Sequence, residues 1–197
     1  VSQSIWTQCE ALFKQRRLGR KGFRAVEDQS VNSTRKLVDS DEEQAVLEAL
    51  IDRVKPAWPS TPQLSGLHYL LSTPFRYPPL RHGSRFGTRF ERGIFYGSET
   101  KHTVLAEKAY YQCLFLTGTH ATFSAPITQS LMLFQFSFAT RRGADLTRPP
   151  FDAFEAELAS TSSYAASQPL GSELRRARVE AFSFRSARDP QRGKNLA

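Results

Sequence analysis

Two hydrophobic periods meet in one short reach of this chain, and together they restrict what it can fold into. "SLMLFQFSF", residues 130–138, alternates, with Met132, Phe134, Phe136 and Phe138 on one face; this is the pattern of a strand with one side in a core. Just before it, "VLAEKAYYQCLF", residues 104–115, carries the helical period, with Val104, Glu107, Tyr111 and Leu114 spaced to line a single stripe. Helical spacing is also expected over Ile5–Phe13 and over Asp41–Val54, where Val46, Leu47, Leu50, Ile51 and Val54 give an amphipathic pattern. "KPAWPSTPQLSG" then interrupts with three prolines. "GIFYGS" and "VEAFSFRSARDP" read as strands, and "DLTRPPFDAFEAELAS" and "SQPLGSELRRAR" each contribute a short helix. Helices and strands mix without regular βαβ alternation, so the expected class is α+β: a single compact domain over residues 65–197, preceded by a helical extension over residues 1–64.

Glu107 is the anomaly in this pattern. Its stripe places it among large apolar side chains in what reads as a buried helix, where an unpaired carboxylate costs several kcal/mol. Either the fold supplies a partner or the group is used for chemistry.

With 197 residues, 40% of them hydrophobic and 12% aromatic, the chain is able to bury a sizeable core. The formal net charge of +8 and a pI of about 9.8 suit an acidic partner. Lys14, Arg16, Arg17, Arg20, Lys21 and Arg24 form a basic run, read as a solvated helix face with a nucleic-acid patch as its alternative. Two cysteines, Cys9 and Cys113, give no disulfide framework, and no apolar run is long enough to span a bilayer. With no signal-peptide pattern, these features point to a reduced, cytoplasmic setting away from membranes.

No metal is expected, because His68, His82, His102 and His120 are scattered without ligand spacing. A phosphate loop and a nucleophile elbow are also missing. What remains is a concentration of Arg76, Arg81, Arg85, Arg89 and Arg92 ahead of Tyr96 and then Glu107. Arginine forks pair with phosphates, aromatic rings stack on planar heterocycles, and a carboxylate stabilises positive charge developing on a sugar. NAD is the commonest molecule with all three parts. On residue types alone the bland alternative stays open: surface arginines, a core tyrosine and a paired core acid.

"PFRYPPLRHGSRFGTRFERGIFYGS", "VLAEKAYY", "SQPLG" and "FRSARDPQRGKN", in that order, resemble the RES-domain family across roughly residues 65–197. The resemblance implies a toxin of a bacterial toxin–antitoxin pair, with a fold related to the diphtheria-toxin type of ADP-ribosyltransferase. It also implies a substrate, NAD, that is broken down or used to ADP-ribosylate a protein. Carried over, the family's first arginine resembles Arg76, with Tyr77 beside it; "GSRF" resembles its "GGRW" block, making Arg85 the second arginine and Phe86 a replacement for Trp. Tyr96 and Glu107 keep the family's spacing, and Ser186 resembles the serine of its "YPSVR" block, although Arg185 stands where proline is usual. The chain opens on Val1 and stops at Ala197, where the family usually continues into a further strand and tail, so a shortened chain is expected.

These expectations make Glu107, Arg76 and Tyr96 the candidate catalytic residues, and Arg85, Tyr77 and Ser186 the candidate residues for holding NAD. The implied partner is an Xre-like antitoxin with its own helix-turn-helix. Direct nucleic-acid binding is not expected; a basic binding module without catalysis is the rival of another class.

Overall fold

The computed structural model describes residues 3–30, 33–59, 61–119 and 126–197; His120 lies outside them. Its frame is a five-stranded closed barrel in the order β1-β2-β5-β4-β3. The strands are β1 (Arg16–Glu27), β2 (Gly97–Ser98), β3 (Leu131–Asp145), β4 (Ala181–Arg185) and β5 (Lys194–Leu196). β1 runs antiparallel to β3 along almost its whole length, with Arg24 opposite Phe134, and among the described residues only the β3–β4 pair is parallel. The alternation around Phe136 thus becomes one long strand, and Phe136 itself is buried. The mixed helix and strand content agrees with the α+β class.

Among the described residues, six α-helices accompany the barrel: α1 (Ile5–Cys9), α2 (Asp41–Val54), α3 (Tyr69–Arg76), α4 (Lys101–Thr117), α5 (Glu155–Leu158) and α6 (Ser167–Arg176). Local chemistry sets their ends. Ser40 caps α2 by accepting the Glu43 N–H at 3.1 Å, and Thr100 caps α4 by accepting that of Thr103 at 3.1 Å. The core gathers Phe86, Phe182 and Phe184 edge-to-face, with ring centroids 4.8 and 4.9 Å from Phe86, beside Leu146, Phe151, Leu158, Leu170 and Leu174.

Three expectations need correction. Residues 1–64 are not a helical extension, because β1 falls within them and closes the barrel. The basic run is accordingly a strand rather than a helix face: Leu18 and Gly22 are buried, while the alternating Arg17 and Lys21 are exposed. Finally, α4 is not a buried helix. It packs on β1, β2 and β5, and buries only Thr103 and Val104; Leu105, Tyr111, Leu114, Phe115 and Cys113 are exposed. The apolar side of α2 is likewise uncovered at Val46, Leu50 and Val54.

Candidate functional site

Glu107 faces a cleft of about 600 Å³ instead of the core. Arg24, Tyr77, Arg85, Tyr96, Tyr111, Tyr164 and Asn195 line the same cleft, and Lys108 stands at its side. A second cavity of about 600 Å³, between α3, β3 and α6, is walled mainly by Leu71, Phe75, Phe138, Leu174 and Phe182 and holds none of these polar groups. Converging polar groups in an apolar setting mark the first as the ligand site.

Two donors hold the carboxylate of Glu107, and both reach the same oxygen. Ser186 Oγ donates to Oε1 at 2.6 Å and Asn195 Nδ2 donates to it at 2.7 Å; among the described residues no hydrogen bond reaches Oε2. The anomaly of the helical stripe is thereby resolved: the acid has partners and still keeps one oxygen for the cleft. Ser186 is fixed in turn, since its oxygen accepts the N–H groups of Arg188 and Asp189 at 3.1 and 3.0 Å. The buried Asp189 accepts from Thr103 Oγ1 at 2.8 Å and from the N–H of Gly193 at 3.2 Å, tying this loop to the first turn of α4. Burial would push the Asp189 carboxyl up, but these bonds, that of the Gln191 N–H and the charge of His102 hold it below its ordinary value. A Cβ on Gly193 would lie 2.1 Å from Thr103 Oγ1, so only glycine permits this approach. Arg185, the departure before Ser186, is absorbed by an ion pair with Glu155 at 3.3 Å.

Arg85 is 5% exposed. Its Nη1 donates to the carbonyls of Leu158 and Ser160, its guanidinium lies 5.1 Å from the Tyr164 ring, and its Nη2 is buried without a partner among the described residues. The loop that carries it is held by Tyr96, whose hydroxyl bonds Ser84 Oγ at 3.0 Å and accepts the Phe86 N–H at 3.1 Å. Burial pushes the Tyr96 phenol up. Tyr96 therefore organises the cleft wall as well as lining it. Tyr77 lies half-open at the cleft edge, 39% exposed. On α4, desolvation and a 2.8 Å bond to the Tyr164 hydroxyl push the Tyr111 phenol up.

Arg76 is not brought to this cleft. Its guanidinium stacks over Trp58 at 4.5 Å and its Nε donates to the Pro56 carbonyl at 2.6 Å, fastening the proline-rich segment to α3. Arg89 lies over the exposed ring of Phe90 and is not part of the wall either. The cation that does enter is Arg24 of β1, which donates through Nη1 to the Tyr96 carbonyl at 2.7 Å and lies 4.7 Å from the Phe95 ring. Its Nε is buried and has no partner among the described residues, and desolvation lowers the guanidinium pKa to about 10, which leaves it charged at neutral pH. The expected helix face for the basic run hides this inward position of Arg24. A period-two reading through Leu18, Gly22 and Arg24 puts it on the inward side of a strand.

An α+β barrel sets a carboxylate, two arginines and several tyrosines around one cleft, an arrangement chemically suited to an anionic, ring-bearing ligand. The RES domain family matches residues 57–197, most of the chain, and the protein belongs to that family. No curated protein matches it. The family is known in toxin–antitoxin systems, which supports a toxin-like role connected in general terms with NAD. Among the described residues no helix is long and apolar enough to cross a membrane, and no three His, Cys, Asp or Glu residues gather as metal ligands.

Proposed function

We propose that the cleft cleaves the bond between nicotinamide and ribose in NAD, and that the chain acts as the toxin of a toxin–antitoxin pair. The observation that carries this reading is Glu107, anchored through Oε1 and unengaged at Oε2, in one cleft with Arg24 and Arg85. Nicotinamide leaves as a neutral molecule taking the bonding electron pair, so the ribose passes through an oxocarbenium-like state. Oε2 of Glu107 stabilises that cation and orients the ribose hydroxyls. Arg24 and Arg85 receive the diphosphate, while Arg76, a candidate catalytic residue on sequence, takes no part in this reading. Tyr77 and Tyr111 flank the nicotinamide, Tyr96 keeps the Arg85 loop in place, and Ser186 holds Glu107 rather than the ligand. Likeness to the diphtheria-toxin type of ADP-ribosyltransferase fold belongs to the same reading.

Water, phosphate or a protein side chain completes the reaction at the ribosyl carbon. Incubation with NAD, with and without phosphate and cell extract, followed by mass identification of the products, distinguishes hydrolysis, phosphorolysis and protein ADP-ribosylation. Persistence of intact NAD in all three conditions overturns the proposal. The partner in this reading is an Xre-like antitoxin whose acidic side chain or C-terminal carboxylate plugs the positive cleft. Such a plug competes with NAD, so inhibition that stays constant across a wide NAD range rules it out.

A further inference from the structure

Ser98 and Asn195 stand directly opposite each other in the β2–β5 ladder, and both are almost fully buried, at 1% and 5% exposure. Ser98 Oγ donates to Asn195 Oδ1 at 2.7 Å, and Asn195 Nδ2 donates onward to Glu107 Oε1 at 2.7 Å. The amide is satisfied in only one orientation: its NH2 must meet the carboxylate, and its oxygen must meet the serine hydroxyl. Strand register therefore fixes the direction of both bonds. The second donor to Oε1 is fixed independently, because two backbone N–H groups occupy the Ser186 oxygen and leave its proton for Glu107.

We infer that Asn195 is a positioning residue, oriented by Ser98, that decides which oxygen of Glu107 works. With Oε1 held from two sides, the carboxylate cannot rotate about its terminal bond without breaking two charge-assisted hydrogen bonds in a partly desolvated site. Oε2 is then the oxygen presented to the ligand, at a fixed place and without a reorganisation step as charge develops. This inference rests on the NAD reading for the identity of the reaction, and on the geometry alone for the Ser98–Asn195–Glu107 chain.

Asn195→Asp is the sharp test, because it keeps size and shape while replacing the donor with an acceptor that repels Oε1. Steady-state NAD turnover by the full chain is expected to lose about a hundredfold or more in kcat, with KM changed by less than about threefold, since the arginines that bind the diphosphate are untouched. Ser98→Ala leaves the amide free to turn and should lose about threefold to tenfold in kcat; Ser98→Thr keeps the hydroxyl and should restore it. Circular dichroism melts show which variants are folded. An activity-independent arm reads the Asn195 side-chain amide in 1H–15N spectra, where a carboxylate-bonded NH2 resonates downfield and moves upfield in Glu107→Gln. A wild type that consumes NAD while folded Asn195→Asp does so at equal kcat overturns the inference and leaves the NAD reading standing. An Asn195 amide unmoved by Glu107→Gln overturns the inference even if Asn195→Asp is unfolded. A wild type that leaves NAD intact but shows the bonded amide refutes the NAD reading and leaves the positioning chain standing.

Discussion

Arg24 donates through Nη1 to the main-chain carbonyl of Tyr96 at 2.7 Å, so the long first strand is joined to the segment whose tyrosine holds the Arg85 loop. One hydrogen bond thus sets the two arginines of the cleft in a common frame. It also distinguishes Arg24 from Arg76, whose guanidinium is committed to Trp58 and the Pro56 carbonyl.

Arg24 and Arg76 should behave oppositely when exchanged for lysine. Arg24→Lys replaces a planar fork with a point charge and is expected to lower kcat/KM for NAD by tenfold or more. Arg76→Lys should leave kcat/KM within about threefold and instead lower stability by about 1 kcal/mol, through loss of the stacked cation and its hydrogen bond. Kinetics beside chemical denaturation of both variants checks this, and the reverse pattern would return Arg76 to the site.

Glu107→Gln keeps the shape of the side chain and removes its charge. Losing a preorganised group that acts mainly in the transition state commonly costs about 3 to 4 kcal/mol, so NAD loss should slow by a factor of hundreds while the melting curve stays near that of the wild type. Undiminished turnover would make Glu107 a structural acid held by Ser186 and Asn195.

Gly171 of α6 lies against the loop that bears Arg85. A Cβ there would stand 1.9 Å from the Phe86 carbonyl oxygen, which is main chain and unable to swing away. Gly171→Ala should therefore destabilise the protein by about 1 to 3 kcal/mol and displace Arg85, raising KM for NAD. A variant of unchanged stability and KM would show that α6 and this loop yield to each other without cost.

Asp145 gives the fold a pH dependence separate from the cleft. Burial would raise its carboxyl, but hydrogen bonds led by the Thr147 hydroxyl, with the Lys194 ammonium nearby, hold it down at about 2. A depressed folded value means that the stabilisation is fully present above the ordinary value of 3.8 and is lost as pH falls through the folded value. Denaturation between about pH 4 and pH 2 should show stability falling for the wild type and a flatter course for Asp145→Asn.

Much of this protein was decided along the chain itself. The Asp41–Val54 helix, the alternation through Phe136, the helix bearing Glu107 and the ordered blocks around Arg85, Tyr96 and Ser186 all depend on local periodicity or on short spacings, which survive in a linear reading. Tertiary structure decided what those elements face. Helical spacing set Glu107 beside Val104 and Tyr111, but only the barrel determined that α4 runs along an open cleft with its later turns exposed. Arg24 is distant in sequence from the other polar residues of the cleft and lies ahead of the stretch the RES family matches; β1 brings it in because its strand register sets where it points. Asn195 closes the block "FRSARDPQRGKN", but a lone amide there indicates no role by itself. It became a partner of Glu107 only when β5 paired with β2 and set Ser98 opposite it.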